Sequence, residues 1–258
     1  MANLTELSAP WWQKRDAKQA DTHLSRLLFL IFRTPKQSLQ HFEGVTMEIN
    51  VLTNEIAYEN TYFLTNDTST IVIDPGNETD AILNTIRELR NPVVAILLTH
   101  AHYDHIMGVE EVRKATGAPV YVSPLEADWL YTPALNLSGL PHHDDDLPDV
   151  VVNAAEHTFS VGETYHIGGF EFTVRATPGH SQGGVSFVFE KERLVFTGDA
   201  LFSGTIGRTD LNTGDMVTLK ESIRTQLFTL PDGFRVFPGH GTQTRIGVEK
   251  QYNPFFHN

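Results

Sequence analysis

The stretch Leu97–Gly108, LLTHAHYDHIMG, constrains this chain more than any other. It sets His100, His102, Asp104 and His105 within six positions, directly after the apolar run Ala95–Leu98. Ionisable side chains at the end of a buried strand lose their hydration, so they need partners that replace it. Residues two apart in an extended chain share a face. His100 and His102 therefore point the same way if the strand continues through them, while Asp104 and His105 fall in the turn and first helical turn beyond. Two pairs of N and O donors at one strand end can hold two adjacent cations.

Three further segments repeat the arrangement. His180 in TPGHSQGG follows the predicted strand Phe170–Ala176, Asp199 in VFTGDAL follows Arg193–Thr197, and His240 in VFPGHG follows Arg235–Phe237. Each lies beside glycine, where the backbone can turn sharply. A lone His at a strand end is usually a satisfied polar residue, and an Asp after Gly is ordinary turn chemistry. Seven such groups gathered at four strand ends go beyond both explanations and point to metal binding. The chain has no cysteine. That excludes disulfides, thiolate zinc sites and a thiol nucleophile, and leaves imidazole and carboxylate as the donors. The expected ion is Zn²⁺, with Fe or Mn as the others such a donor set accepts.

The rest of the sequence agrees with a globular enzyme. At 258 residues and 40% hydrophobic content the chain can bury a sizeable core. A net charge of −13 argues against a nucleic-acid surface, which relies on clustered Lys and Arg. The apolar patch Leu27–Phe32 is too short to span a bilayer and is bracketed by Arg26 and Arg33. A soluble, cytoplasmic protein is expected. Residues 1–44 read as an N-terminal extension, an appendage or an overextended start, with helical spacing at Leu24, Leu27, Leu28 and Ile31 and a candidate docking surface at Trp11 and Trp12. Residues 45–258 read as the domain.

Within that domain the pattern predicts strands over Val45–Leu52, Tyr62–Thr65, Thr70–Ile73, Val93–Leu98 and Pro119–Val122, with helices over Glu78–Arg90 and Gly108–Thr116. A helix over Pro124–Leu130 and a loop to about Val150 follow. Four antiparallel strands come next, at Tyr165–Ile167, Phe170–Ala176, Val185–Glu190 and Arg193–Thr197. A helix at Met216–Phe228, the strand Arg235–Phe237 and a helix at Thr244–Gln251 close the chain. The loop segment PHHDDD, His142–Asp146, matches no ligand spacing and reads as solvated.

The set His100-x-His102-x-Asp104-His105, with His180, Asp199 and His240 downstream, resembles the metallo-β-lactamase superfamily from about Val45 to Phe256. Within it, LFSGTIGRTDLNTGD and the ending FPGHGTQTRIGVEKQYNPFF resemble the glyoxalase II-like hydrolases. The nearest likeness is to the short bacterial forms without a C-terminal helical glutathione-binding domain. The resemblance implies an α/β fold, an αββα sandwich of two mixed sheets flanked by helices. It implies two divalent metal ions. His100, His102 and His180 would hold one, and Asp104, His105 and His240 the other. Asp199 and a water or hydroxide would bridge them, the hydroxide acting as nucleophile. Asp104 and Asp199 are thus the expected catalytic carboxylates. Asp74, in the DPG turn, would support a ligand histidine, and Arg208 in GTIGRTD would hold the substrate.

The activity implied is hydrolysis of a hydroxyacyl thioester such as S-lactoylglutathione. Three rivals remain at this point. One is a mononuclear iron persulfide dioxygenase using His100, His180 and Asp199; the second is a lactonase-type ester hydrolase; the third is a binding protein that retains the fold. The expected partner is a small-molecule thioester or ester, with no nucleic acid and no membrane. A homo-oligomer is compatible with the chain.

Overall fold

A computed structural model describes residues 40–42, 45–140 and 147–257. The expected leader helix, the Trp11 and Trp12 surface and the PHHDDD loop lie outside the described residues. The first sheet has seven strands in sequential order: β1 (Gln40–Phe42), β2 (Val45–Thr53), β3 (Asn60–Thr65), β4 (Thr70–Ile73), β5 (Val93–Leu97), β6 (Val120–Val122) and β7 (His157–Thr158). It therefore begins upstream of the Val45 boundary. Strands β1 to β4 pair antiparallel, whereas β4, β5, β6 and β7 pair parallel. Helix α1 (Thr79–Leu89) makes the β4–β5 crossover, and α2 (Tyr103–Ile106) with α3 (Val109–Thr116) makes the next. Parallel neighbours need such crossovers, while hairpins suffice for the rest.

The second sheet has six strands. Its sequential meander is β8 (Thr164–Ile167), β9 (Phe170–Ala176), β10 (Val185–Phe189) and β11 (Leu194–Gly198). Strand β14 (Arg235–Pro238) adds to β11 in parallel, and β15 (Thr244–Arg245) pairs antiparallel with β14. A small hairpin, β12 (Leu201–Phe202) with β13 (Thr205–Ile206), projects beyond β11.

Side-chain alternation divides the core into three layers. Ile71, Ile73, Ala95 and Leu97 of the first sheet face Phe187, Phe189, Phe196 and Phe237 of the second. The intervening Val72 and Ile96 point outward onto Ile82 of α1, Val109 and Val112 of α3, and Trp129. On the other side, Val188, Val195 and Val236 pack on Leu219 of α5 (Met216–Ser222) and on Ile246 of α6 (Ile246–Tyr252). This is the αββα sandwich. The aromatic middle layer is costly to disturb: Phe187 is fully buried, and truncating such a ring to Ala costs about 3–5 kcal/mol. No helix among the described residues is long and apolar enough to cross a membrane.

Two helical expectations change. Over Pro124–Leu130 there is no α-helix; the chain makes a turn closed by Glu126 N–H to Ser123 O (3.1 Å), then a 3₁₀ turn at Trp129–Tyr131 and α4 (Pro133–Asn136). Glu126 is drawn inward to main-chain donors of other segments, and tertiary contacts override local spacing. The helix beginning at Met216 is α-helical only to Ser222 and continues as a π turn over Ile223–Leu227. The Gln226 carbonyl there accepts from Arg175 Nη1 at 2.6 Å.

Candidate metal centre

Parallel pairing of β4 with β5, and of β11 with β14, brings the C-terminal ends of these strands to one edge of the sandwich. Asp74 follows β4, His100 and His102 follow β5, Asp199 follows β11 and His240 follows β14. Strand β9 runs in the same sense as β11, so the loop carrying His180 opens at that edge too.

The strand expected over Val93–Leu98 ends at Leu97, so the condition that it continue through His100 and His102 is not met. Beyond it, carboxylates take over the main-chain donors. Thr99 N–H donates to Asp74 Oδ1 (2.7 Å) and Ala101 N–H to Glu126 Oε2 (2.7 Å). The two histidines are thus fixed by long-range side-chain acceptors rather than by a ladder. Asp74 itself sits at φ 49°, a left-handed conformation that Asp tolerates better than most residues.

The seven side chains converge. Ligand-type atoms of His100, His102 and His180 lie within 4.8 Å of one another, as do those of Asp104, His105 and His240. A third such group, His100, His105 and Asp199, links the two triads. Asp199 lies 3.4 Å from His105 Nε2, 3.4 Å from His180 Nε2 and 3.3 Å from His240 Nε2. His102 Nδ1 is 2.9 Å from His180 Nε2, and His240 Nε2 is 3.4 Å from Asp104 Oδ2. Asp199 and all the histidines except the partly exposed His240 are at least nine-tenths shielded, and the Asp104 side chain is 12% exposed.

The far side of each ring tells which nitrogen faces the cluster. His180 Nδ1 meets the Arg208 carbonyl (2.8 Å) and His240 Nδ1 the Ala57 carbonyl (3.0 Å); a carbonyl only accepts, so each Nδ1 carries a proton. His105 Nδ1 donates to Asp74 Oδ2 (3.0 Å). Thr99 Oγ1 spends its proton on Asp74 Oδ2 (2.6 Å), so at His100 Nδ1 (3.1 Å) it accepts. Four Nε2 atoms are thereby turned into the cluster. His100 Nε2 and Asp199 Oδ1 are buried without a hydrogen-bond partner among the described residues. Convergent imidazoles and carboxylates, with four of the rings oriented from behind, are the pattern of metal ligands and their supporting shell. The donor set fits divalent cations.

Protonation agrees. Burial holds His100 well below the ordinary imidazole value, and burial with the neighbouring His180 brings His102 down to about 3. Burial would raise Asp104 and Asp199, but His105 beside the first and His240 and His105 beside the second outweigh it; Asp104 falls to about 2 and Asp199 lies well below the carboxylate range. Burial opposes charge on His105 and His240, yet Asp104 and Asp199 pull both well above the ordinary value. The carboxylates thus concentrate negative charge around these rings, where a cation would be favoured.

Arg208, the expected substrate contact, stands beside the cluster and supports it through its main chain. Its side chain makes a bidentate pair with Asp210 (Nε–Oδ1 2.7 Å, Nη2–Oδ2 2.8 Å), both residues being mostly exposed, while its carbonyl orients His180. Sequence reasoning passed over Glu126, Trp129 and Glu59. Trp129 stacks on the His102 ring (centroids 5.8 Å, 20°). Glu59 is buried with Oε1 3.9 Å from His105 Nδ1. Neither spacing nor periodicity marks these residues, because each acts across a long stretch of chain.

Comparison with known proteins places this geometry. Residues 57–240 match the family model described as the metallo-beta-lactamase superfamily. A probable metallo-hydrolase of Streptococcus pyogenes serotype M6 is 54% identical over 214 residues, covering 83% of this chain and 92% of that protein. The hydroxyacylglutathione hydrolase GloC of Haemophilus influenzae is 37% identical over 190 residues, 72% of this chain and 87% of that one. Among solved structures, the BLEG-1 B3 metallo-beta-lactamase aligns with a TM-score of 0.77 at 38% identity, over 81% of this chain and all of that chain. TTHA1623 in a di-iron-bound form aligns with a TM-score of 0.69 at 34% identity, over 80% and 99%.

Proposed function

This chain belongs to the metallo-beta-lactamase superfamily, and we propose that within it the protein is a binuclear hydrolase of small hydroxyacyl thioesters, S-lactoylglutathione being the representative substrate. The observation that carries the reading is the convergence of seven donors in two triads joined by Asp199. His100 Nε2, His102 Nδ1 and His180 Nε2 would hold the first ion; Asp104, His105 Nε2 and His240 Nε2 the second; Asp199 would lie between. When bound, such a pair of ions lowers the pKa of a water toward neutrality and polarises a carbonyl.

The chain's own residues account for the rest. Asp104 and Asp199 remain ionised down to acid pH, so they keep a cation partner and do not act as proton donors. The carbonyls of Arg208 and Ala57 keep the Nδ1 protons of His180 and His240 away from the reacting side. Tyr103, next to Asp104, is pushed up to about 12, chiefly by burial, and holds its proton. A leaving group that needs little protonation suits this site, and a thiolate, with a pKa near ~8.5, is one. The Arg208 side chain at the surface is assigned to the polar end of the substrate. The 37% identity to GloC, a hydroxyacylglutathione hydrolase, supports the same class.

Metal analysis of the purified protein, with hydrolysis assays on S-lactoylglutathione and a panel of esters and lactones, tests the proposal. Two metal equivalents and preferred thioester turnover are expected. One iron per chain with O₂ uptake on glutathione persulfide overturns it, and turnover confined to lactones overturns the thioester assignment.

A further inference from the structure

Among the described residues, the segment after β6 meets the metal centre at its first triad. Glu126 has no exposed surface, and its two carboxylate oxygens go to different loops. Oε2 accepts Ala101 N–H at 2.7 Å, between His100 and His102; Oε1 accepts Gly183 N–H at 2.6 Å, three residues beyond His180. Position 183 leaves the room this needs: a Cβ there would crowd Ser123 Oγ (2.7 Å) and Glu126 Cγ (2.8 Å). The same short segment supplies Trp129, whose N–H donates to the Glu126 carbonyl at 3.0 Å and whose indole stacks on His102. The second triad has separate supports: Asp74 and the buried Glu59 stand beside His105 Nδ1, and the Ala57 carbonyl orients His240.

We propose that Glu126 is a positioning residue for the first metal site, a single buried carboxylate that sets the spacing between the His100–His102 loop and the His180 loop. The inference rests on the metal-binding reading of the triads. The two loops reach Glu126 through N–H donors at Ala101 and Gly183, and a carboxylate accepts from both at once. A Gln of the same shape has one acceptor oxygen and one amide that meets a donor head-on. It would release one loop while leaving the side-chain volume in place. An Asp keeps the charge but is one methylene too short to span both donors. The charge-assisted pair ties the two loops together, so its loss is read as weaker ion capture at one site.

The test measures Co²⁺ and Zn²⁺ affinity of the full chain by competition with a chromophoric chelator, together with the visible spectrum of the Co²⁺ form and thermal unfolding of the metal-free protein. His180→Ala and His240→Ala serve as references for loss of the first and second sites. Glu126→Gln is expected to weaken the first site about 10- to 100-fold, the range for residues that support metal ligands. It should leave the second site within about 3-fold, and its Co²⁺ spectrum should shift towards that of His180→Ala. Glu126→Asp should show the same selective loss, and is the variant read if Glu126→Gln does not fold. Equal loss at both sites, unchanged affinities with only a lower melting temperature, or failure of both variants to fold would each assign Glu126 to general stability and overturn the proposal. Absence of tight Co²⁺ or Zn²⁺ binding by the unmodified chain is a different result: it would fall on the metal-binding reading itself.

Discussion

Replacing Asp74 by Asn separates ligand orientation from fold stability. Asp74 is almost fully buried and accepts three hydrogen bonds, from Thr99 N–H, Thr99 Oγ1 and His105 Nδ1. Its φ of 49° is open to Asn without new strain. In Asp74→Asn the amide oxygen still serves Thr99 N–H, while the amide NH₂ faces the hydroxyl and the imidazole. The hydroxyl can turn round and accept, and the metal-free imidazole can exchange tautomers, so the stability loss should be only about 1 kcal/mol. The exchanged tautomer, however, puts a proton on His105 Nε2, where a lone pair must face the cation. Metal affinity at the site containing His105 should fall about 10- to 100-fold, with turnover falling in step. Asp74→Ala leaves Thr99 N–H buried and unpaired, about 1–3 kcal/mol, and places a Cβ residue in the left-handed region without a helpful side chain, about 1–2 kcal/mol. At roughly 2–4 °C per kcal/mol for a protein of this size, the metal-free melting temperature should drop by about 4–20 °C in Ala and by only a few degrees in Asn. Thermal melts of the chelator-treated proteins and metal titrations give both quantities. If Asp74→Asn keeps wild-type affinity, or if affinity in both variants simply follows melting temperature, the tautomer argument fails.

Other outcomes follow from the same geometry. Asp199→Ala should abolish thioester turnover and lower metal content, because Asp199 is the group that stands within 3.4 Å of His105, His180 and His240; retained activity would remove it from the bridging position. Gly239→Ala should weaken metal binding about tenfold or more, since a Cβ there would overlap Asp199 Oδ1 and press on the His105 ring; unchanged titrations would show that the cluster yields. Arg208→Ala should raise KM more than it lowers kcat, and a pure kcat effect would point instead to the backbone contact with His180. The same variant bears on Asp210, whose hydrogen bond to Arg208 lowers its pKa to about 2. A carboxylate depressed in the folded state stabilises above its unfolded pKa and loses that contribution as pH falls through the folded value, here between about 4 and 2. The pair is exposed, so the contribution is at most about 1 kcal/mol, and NMR titration should find Asp210 returning toward about 3.9 in the variant.

Much of the framework was legible in local pattern. Ile71, Val72 and Ile73 alternate between the inter-sheet layer and the helix layer, as do Phe187, Val188 and Phe189. That period of two is written in adjacent residues and survives into the fold. The donors were legible for a related reason. His100, His102, Asp104 and His105 share one short segment, and His180, Asp199 and His240 each stand beside glycine at a strand end. Local spacing failed at Pro124–Leu130, where the apolar and polar order suits a helix but Glu126 is needed elsewhere.

By itself the sequence determined which groups could bind a cation and that sheet strands would carry them, because strand periodicity and ligand chemistry reside in neighbouring residues. Tertiary structure alone decided where β5 stops, which nitrogen each imidazole turns inward and which acceptor holds each loop. Those outcomes depend on contacts such as Asp74 with Thr99 and Glu126 with Ala101, 25 residues apart in both cases, and Glu126 with Gly183, 57 apart. A hydrogen bond is settled by a few tenths of an ångström and a direction in space, and separations of that length along a chain encode neither.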